Sequence, residues 1–304
     1  MHLISASRRT DIPAFHADWF MNRIRTGSVR VVAPFGGRVH DVSLKREDVT
    51  AVVFWTKNAA PLLPHLQELT DMGHCFSFLY TVNNYPDYLE PRVPKTCQNL
   101  ETIETICRRY STTVFRWRYD TIVLTERLDR AWHINNFTQL CKVMSGFTDH
   151  CITSFCDYYR KTIRNMNRYA PDFRVPTPEE CGSLAEEMAA IGRDHGISLL
   201  VCAHDFLLGP GTAKARCIDP GYLTKVVDTE DRRTALAKSD RAPSRKGCAC
   251  VSSRDIGAYD TCGHGCAYCY ANADPEKGQR NIAHLTPNLP SLSPTPAKWP
   301  SDGS

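Results

Sequence analysis

The chain has 304 residues, 42% of them hydrophobic, and a formal net charge of +4. That length buries a large core, in one barrel-sized domain or two smaller ones, and so mild a charge does not by itself argue for nucleic acid. No apolar run approaches the ~18 residues of a membrane span, and Met1-His2-Leu3-Ile4 runs straight into Ser5-Ala6-Ser7-Arg8-Arg9, which is not a secretion signal; with 14 cysteines the chain therefore reads as cytoplasmic and metal-ligating, not disulfide-bonded.

Short apolar runs read as buried strands at residues 3–7, 49–55, 75–82, 113–119, 150–155 and 197–202. Helical periodicity lies between them. Leu62, Leu66 and Leu69 share a face that stops at Gly73. Leu100, Ile103, Ile106 and Cys107 share another, with Pro94 near its start, and Ile134, Phe137, Leu140 and Met144 a third. Thr177-Pro-Glu-Glu180 is a capping box, and Gly196 closes that helix. Strands alternating with helices make a parallel sheet. The fold class is α/β: a (βα)6 partial TIM-type barrel over residues 1–225. A cysteine-rich segment, 226–284, folds over its mouth, and a disordered Pro/Ser-rich tail runs from 285 to 304.

In parallel α/β folds the active site lies at the carboxyl ends of the strands. Here those ends carry Arg8, Arg9 and Asp11, then Thr56, Lys57 and Asn58, then Asn83, then Arg116, Arg118 and Asp120. The fifth strand adds Ser154 and Asp157, and the sixth adds His204 and Asp205. Loops are polar for ordinary reasons, but six polar ends in succession point to binding. Arg116 and Arg118 alternate with Phe115, Trp117 and Tyr119, so the arginines share one face and the aromatics the other. Arginines facing an interior need anions: Asp11, Asp120 or a bound carboxylate or phosphate.

Near the C-terminus stands Cys262-Gly-His-Gly-Cys266-Ala-Tyr268-Cys269-Tyr. Three thiolates at this spacing suit three irons of a [4Fe–4S] cluster and leave one iron open; a zinc site would need a fourth ligand such as His264 or Cys250. Cys202, Cys217, Cys248 and Cys250 make a second set of four, the number a closed [4Fe–4S] or zinc centre requires. The remaining cysteines read mainly as core packing.

Cys-x-x-x-Cys-x-Tyr-Cys-Tyr resembles the cluster motif of radical SAM enzymes, and Thr261-Cys-Gly-His-Gly-Cys-Ala-Tyr-Cys-Tyr-Ala is most similar to the spore photoproduct lyase branch. Over roughly residues 1–273 the chain resembles the DUF1848 family. The recognisable stretches are Ser5-Ala-Ser-Arg-Arg-Thr-Asp-Ile-Pro13, Phe54-Trp-Thr-Lys-Asn58, Phe115-Arg-Trp-Arg-Tyr-Asp120 and Asp255-Ile-Gly-Ala-Tyr-Asp-Thr-Cys262. The radical SAM resemblance implies a cluster whose open iron chelates S-adenosylmethionine, reductive cleavage to a 5′-deoxyadenosyl radical, and a (βα)6 partial barrel. One departure is plain: radical SAM enzymes carry the motif after the first strand, where this chain has Ser7-Arg8-Arg9-Thr10-Asp11.

The expected function is thus a radical SAM-type enzyme acting on a small-molecule or nucleotide-like, anionic substrate, with a flavodoxin or ferredoxin as electron donor. Thr56, Lys57, Asn58 and Tyr268 are the candidate cofactor contacts. Two alternatives stand beside it. One is a redox or structural Fe–S protein. The other is a zinc-stabilised nucleic-acid-binding protein using Arg160, Lys161 and Arg164 beside Tyr158, Tyr159 and Tyr169.

Overall fold

The computed structural model describes residues 1–34 and 36–293. Eight parallel strands form its main sheet: β1 (His2–Ala6), β2 (Val49–Thr56), β3 (Phe76–Thr81), β4 (Phe115–Ile122), β5 (His150–Phe155), β6 (Ser198–Val201), β7 (Thr212–Lys214) and β8 (Arg254–Asp255). The order is β7-β6-β5-β4-β3-β2-β1-β8, so successive strands are neighbours except at the last, where the chain returns to lie beside β1. The six expected strands are all present. The two additional edge strands are three and two residues long, too short to carry a readable period.

Alternation sorts the side chains. Ile4, Phe54, Phe78, Phe115, Trp117 and Tyr119 pack against helices including Thr96–Tyr110, Arg130–Met144 and Pro178–Asp194. Leu3, Ala51, Val53, Leu79 and Ile152 point to the other face, which is covered by Ala215, Ile218, Leu223, Val227, Leu236 and Val251. Both faces of the sheet are therefore buried, as a parallel sheet requires. The Thr177 hydroxyl accepts from the Glu180 amide and the Glu180 side chain reaches back, completing the capping box.

The stretch 226–247 holds one helix, Glu230–Ala237, and otherwise loop. The expected free tail needs correction through residue 293. The Trp19 indole donates to the Leu289 carbonyl at 2.8 Å, the Arg30 amide donates to Pro290, and Leu292 is buried in the helix-side core. Apolar Leu289 and Leu292 anchor a segment whose Pro/Ser composition alone suggested disorder. The rest of that tail, 294–304, lies outside the described residues.

Candidate functional site

The segment Cys262–Cys269 lies against the residues that follow β1, β2 and β3. His264 Nε2 meets the Asp11 carboxylate at 2.8 Å, and His16 Nε2 donates to the Thr261 carbonyl at 2.8 Å. Arg92 Nε donates to the Gly263 carbonyl at 2.6 Å, and the Ala267 amide to Leu89 at 2.9 Å. The glycines make the close fit: a Cβ on Gly263 would stand 2.6 Å from the Phe15 ring. Gly265 adopts φ +74, and a Cβ there would meet the Arg92 guanidinium at 2.3 Å. Asp255 ties the chain's two ends together, accepting from Ser7 Oγ at 2.7 Å and the Arg8 amide at 2.8 Å.

Asp11 organises this corner. It caps the turn Ile12–Phe15, takes Thr56 Oγ1 and the Lys57 amide at 2.7 Å each, and meets His264. Thr56 Oγ1 in turn accepts from the Asn58 amide, and Asn58 Oδ1 accepts from Ala60. Lys57 Nζ pairs with Glu90 at 2.8 Å. Burial opposes the lysine's charge, but Glu90, Cys266 and Asp120 outweigh it and hold its pKa up. Glu90 also receives the Tyr268 hydroxyl and Asn83 Nδ2. Burial pushes the thiols of Cys262, Cys266 and Cys269 upward, so an empty site keeps its protons and metal binding must displace them.

The other expected residues divide. Arg118 pairs with Asp120, whose second oxygen takes Ser154 Oγ at 2.5 Å. The guanidinium lies over the Trp55 ring, 4.9 Å from its centroid, and its Nε is buried without a hydrogen-bond partner. Its charge couples to Cys202 and Cys217 and to Tyr270 beside Cys269. Asn83 brackets the Asp120 backbone, accepting from its amide at 2.9 Å and donating to its carbonyl at 3.1 Å. Arg116 is different: it donates to His150 Nε2 and to the carbonyls of Arg216 and Cys217, and burial lowers its pKa. It is a clamp on the loop after β7, and neutral backbone carbonyls stand where an anion was expected. Arg8 stacks over Trp55 and donates to Ser253; Arg9 lies over Tyr259 and donates to the Gly257 carbonyl.

Cys202, Cys217, Cys248 and Cys250 are brought together and all are buried. Cys217 Sγ lies 3.6 Å from Cys202 Sγ, the Ile218 amide donates to Cys250 Sγ at 3.4 Å, and the Cys250 amide to Cys248 Sγ at 3.5 Å. Accepting from the Cys217 thiol lowers the Cys202 pKa, while that of Cys248 is raised to about 12, first by Cys250. Neither candidate fourth ligand for zinc reaches the Cys262 set: Cys250 belongs to this second group, and His264 is committed to Asp11 and the Arg92 carbonyl.

Among the described residues, no three His, Cys, Asp or Glu side chains stand in finished geometry around one metal ion. A cubane spreads its thiolates over separate irons, so its ligands need not converge on a point. Three soft donors without a carboxylate among them, Cys266 buried and Cys262 and Cys269 half-buried, fit such a cluster.

At the basic helix Arg160–Tyr169, which carries the alternative nucleic-acid face, Tyr159 just before the first turn is exposed while other members are engaged within the chain. Arg164 donates to the Ala273 carbonyl, Arg168 reaches Asp274 at 3.7 Å, and Tyr158 stacks on Phe173. Its cations hold the cysteine-bearing segment. A cavity of about 920 Å³ opens at the opposite, N-terminal end of the strands, beside His2, Thr50, Arg232 and Arg254, and carries none of the cysteines. Sequence reasoning missed Glu90, which lies in Leu89-Glu-Pro-Arg92; its partners come from three separate segments, and no local pattern marks it.

No curated protein matches the chain. A family model described as a domain of unknown function, DUF1848, matches residues 3–271, nearly the whole chain, with both cysteine sets inside the match. With β1 at one end of that match and the Cys262–Cys269 segment at the other, the chain belongs to the DUF1848 family.

Proposed function

We propose that the chain is a radical SAM-type enzyme in which Cys262, Cys266 and Cys269 hold a [4Fe–4S] cluster. The supporting observation is positional: cysteines from the far end of the chain lie beside the residues after β1, β2 and β3. That is the end at which parallel α/β sheets carry active sites. In this reading the sheet curves as a (βα)6 partial barrel extended by its two edge strands.

The chemistry such a cluster supplies when bound is one-electron cleavage of S-adenosylmethionine, giving a 5′-deoxyadenosyl radical that takes hydrogen from the substrate. The chain's own part is to orient and to exclude water. Thr56, Lys57, Asn58 and Tyr268 border the cysteines and are the residues to contact the cofactor. Lys57 sets a buried positive charge beside Cys266, which eases accumulation of thiolate charge. Arg118, with an uncommitted buried Nε, is the residue to receive an anionic substrate group, and Asp120 holds it in place.

Low-temperature EPR of the anaerobic, dithionite-reduced protein tests this. A [4Fe–4S]⁺ signal whose g-values move on adding S-adenosylmethionine is the expected result. A signal indifferent to that addition leaves a redox or structural cluster, and no iron after reconstitution with iron and sulfide ends the proposal.

A further inference from the structure

We infer that Cys202, Cys217, Cys248 and Cys250 form an independent centre for a single zinc ion, closed and structural, and not a second iron–sulfur cubane. The argument is one of sulfur spacing. Zn–S bonds of ~2.3 Å in a tetrahedron place the sulfurs ~3.8 Å apart, a distance fixed by the bond length and angle. Cys217 and Cys202 already stand 3.6 Å apart, and the amides of Ile218 and Cys250 tie the sulfurs of Cys250 and Cys248 to the same cluster. In a cubane each thiolate binds its own iron, and the sulfurs are held out of contact.

The four sulfurs come from three backbone segments, each pinned independently. Cys202 follows β6 and donates its amide to Thr153. Cys217 follows β7, and Arg116 holds its carbonyl at 2.8 Å. Cys248 and Cys250 sit on a loop whose Gly247, at φ +75, leaves no room for a Cβ: one would stand 2.0 Å from the Ala203 carbonyl. That approach of Gly247 to Ala203 is what brings Cys248 alongside Cys202.

Donors already aim at the sulfurs, as they do around metal-bound thiolates. The Ile218 amide reaches Cys250 Sγ at 3.4 Å, the Cys250 amide reaches Cys248 Sγ at 3.5 Å, and Ser244 Oγ reaches Cys248 Sγ at 3.6 Å. Four soft donors leave no open position, so the ion is structural. The stretch it would staple, 215–251, covers one face of the main sheet with little regular structure of its own. Closing the tetrahedron takes release of thiol protons and side-chain rotation, because the four sulfurs do not yet surround one point.

The test is metal analysis of the anaerobically purified full-length chain and two variants, one with Cys262, Cys266 and Cys269 all changed to Ala, the other Cys217→Ser with Cys250→Ser. The expected result is one zinc per chain, kept in the triple variant and lost in the double, with cobalt substitution giving the absorption of tetrahedral Co²⁺–thiolate in the triple variant. Iron and sulfide in place of zinc in the triple variant would make this centre a cubane and overturn the inference. A Cys202–Cys217 disulfide with no metal would overturn it as well. If the double variant fails to fold, the zinc content of the triple variant still decides. The inference does not depend on S-adenosylmethionine chemistry at the other set, whose failure would appear in the EPR experiment and leave the zinc count unchanged.

Discussion

The two cysteine sets of this molecule are built on opposite plans. Cys262, Cys266 and Cys269 lie within eight residues of one loop. Cys202, Cys217, Cys248 and Cys250 are spread over three segments, yet two of their sulfurs stand 3.6 Å apart and backbone amides tie the other two to the same cluster. Proximity in sequence and proximity of donor atoms are thus separate properties, and the second decides what a site can hold. In the proposed readings the local loop holds a cluster and the distant segments a single ion.

Substituting a ligand in each set breaks the comparison most directly. Cys266→Ala is expected to remove the iron and its EPR signal while zinc stays. Cys217→Ser is expected to remove zinc and lower the midpoint of thermal unfolding. Loss of both metals from either variant would mean that the two sets form one unit.

Asp11→Ala comes next. It leaves the Lys57 amide, Thr56 Oγ1, the Ala14 amide and His264 without their shared acceptor. Removing one partner of such a buried network costs about 3–5 kcal/mol. Urea unfolding of the metal-free protein should show that loss, and iron retention should fall with it, while zinc retention is expected to hold.

Gly247→Ala probes the other plan. It forces a side chain onto φ +75 and against the Ala203 carbonyl, at about 1–3 kcal/mol. A competition titration with a chromophoric chelator should show zinc held ~10–100-fold more weakly, with the iron content unchanged.

A pH dependence of folding leaves both sets untouched and so bears least on the comparison. His133 sits among the helix-side aromatics with its ring between the Tyr119 hydroxyl and the Val123 carbonyl, and burial lowers its pKa from 6.5 to about 4. The unfolded chain therefore binds the proton first as pH falls. Stability is full above the unfolded value of 6.5, and this histidine's contribution declines between there and about 4, by about 1.4 kcal/mol per pH unit. His133→Gln should flatten that part of the profile in urea unfolding between pH 7 and pH 4.5.

Much of the fold could be read from the residues because it is repetitive. Each of the first six strands is an apolar run long enough to register, and the Thr177 capping box is local chemistry. The alternation of Arg116 and Arg118 with Phe115, Trp117 and Tyr119 likewise sets two faces by geometry alone. What could not be read depends on encounters between distant segments. Strand β8 is two residues whose only strand partner is β1. Glu90 matters through Lys57, Asn83 and Tyr268, and His264 is engaged by Asp11 from the start of the chain. Composition misled at residues 285–293, where proline and serine outnumber the few apolar anchors that decide the matter.

The return of the chain to β1 also orders events on the ribosome. Strands β1 to β7 emerge before any residue of the Cys262–Cys269 segment, and domains begin to fold as they are made. The pocket of Asp11, Lys57 and Glu90 is therefore assembled, and the thiols arrive last. If that set holds a cluster, as proposed, its loading would be a late maturation step on a largely finished scaffold, and an iron-starved cell would accumulate folded, unloaded protein.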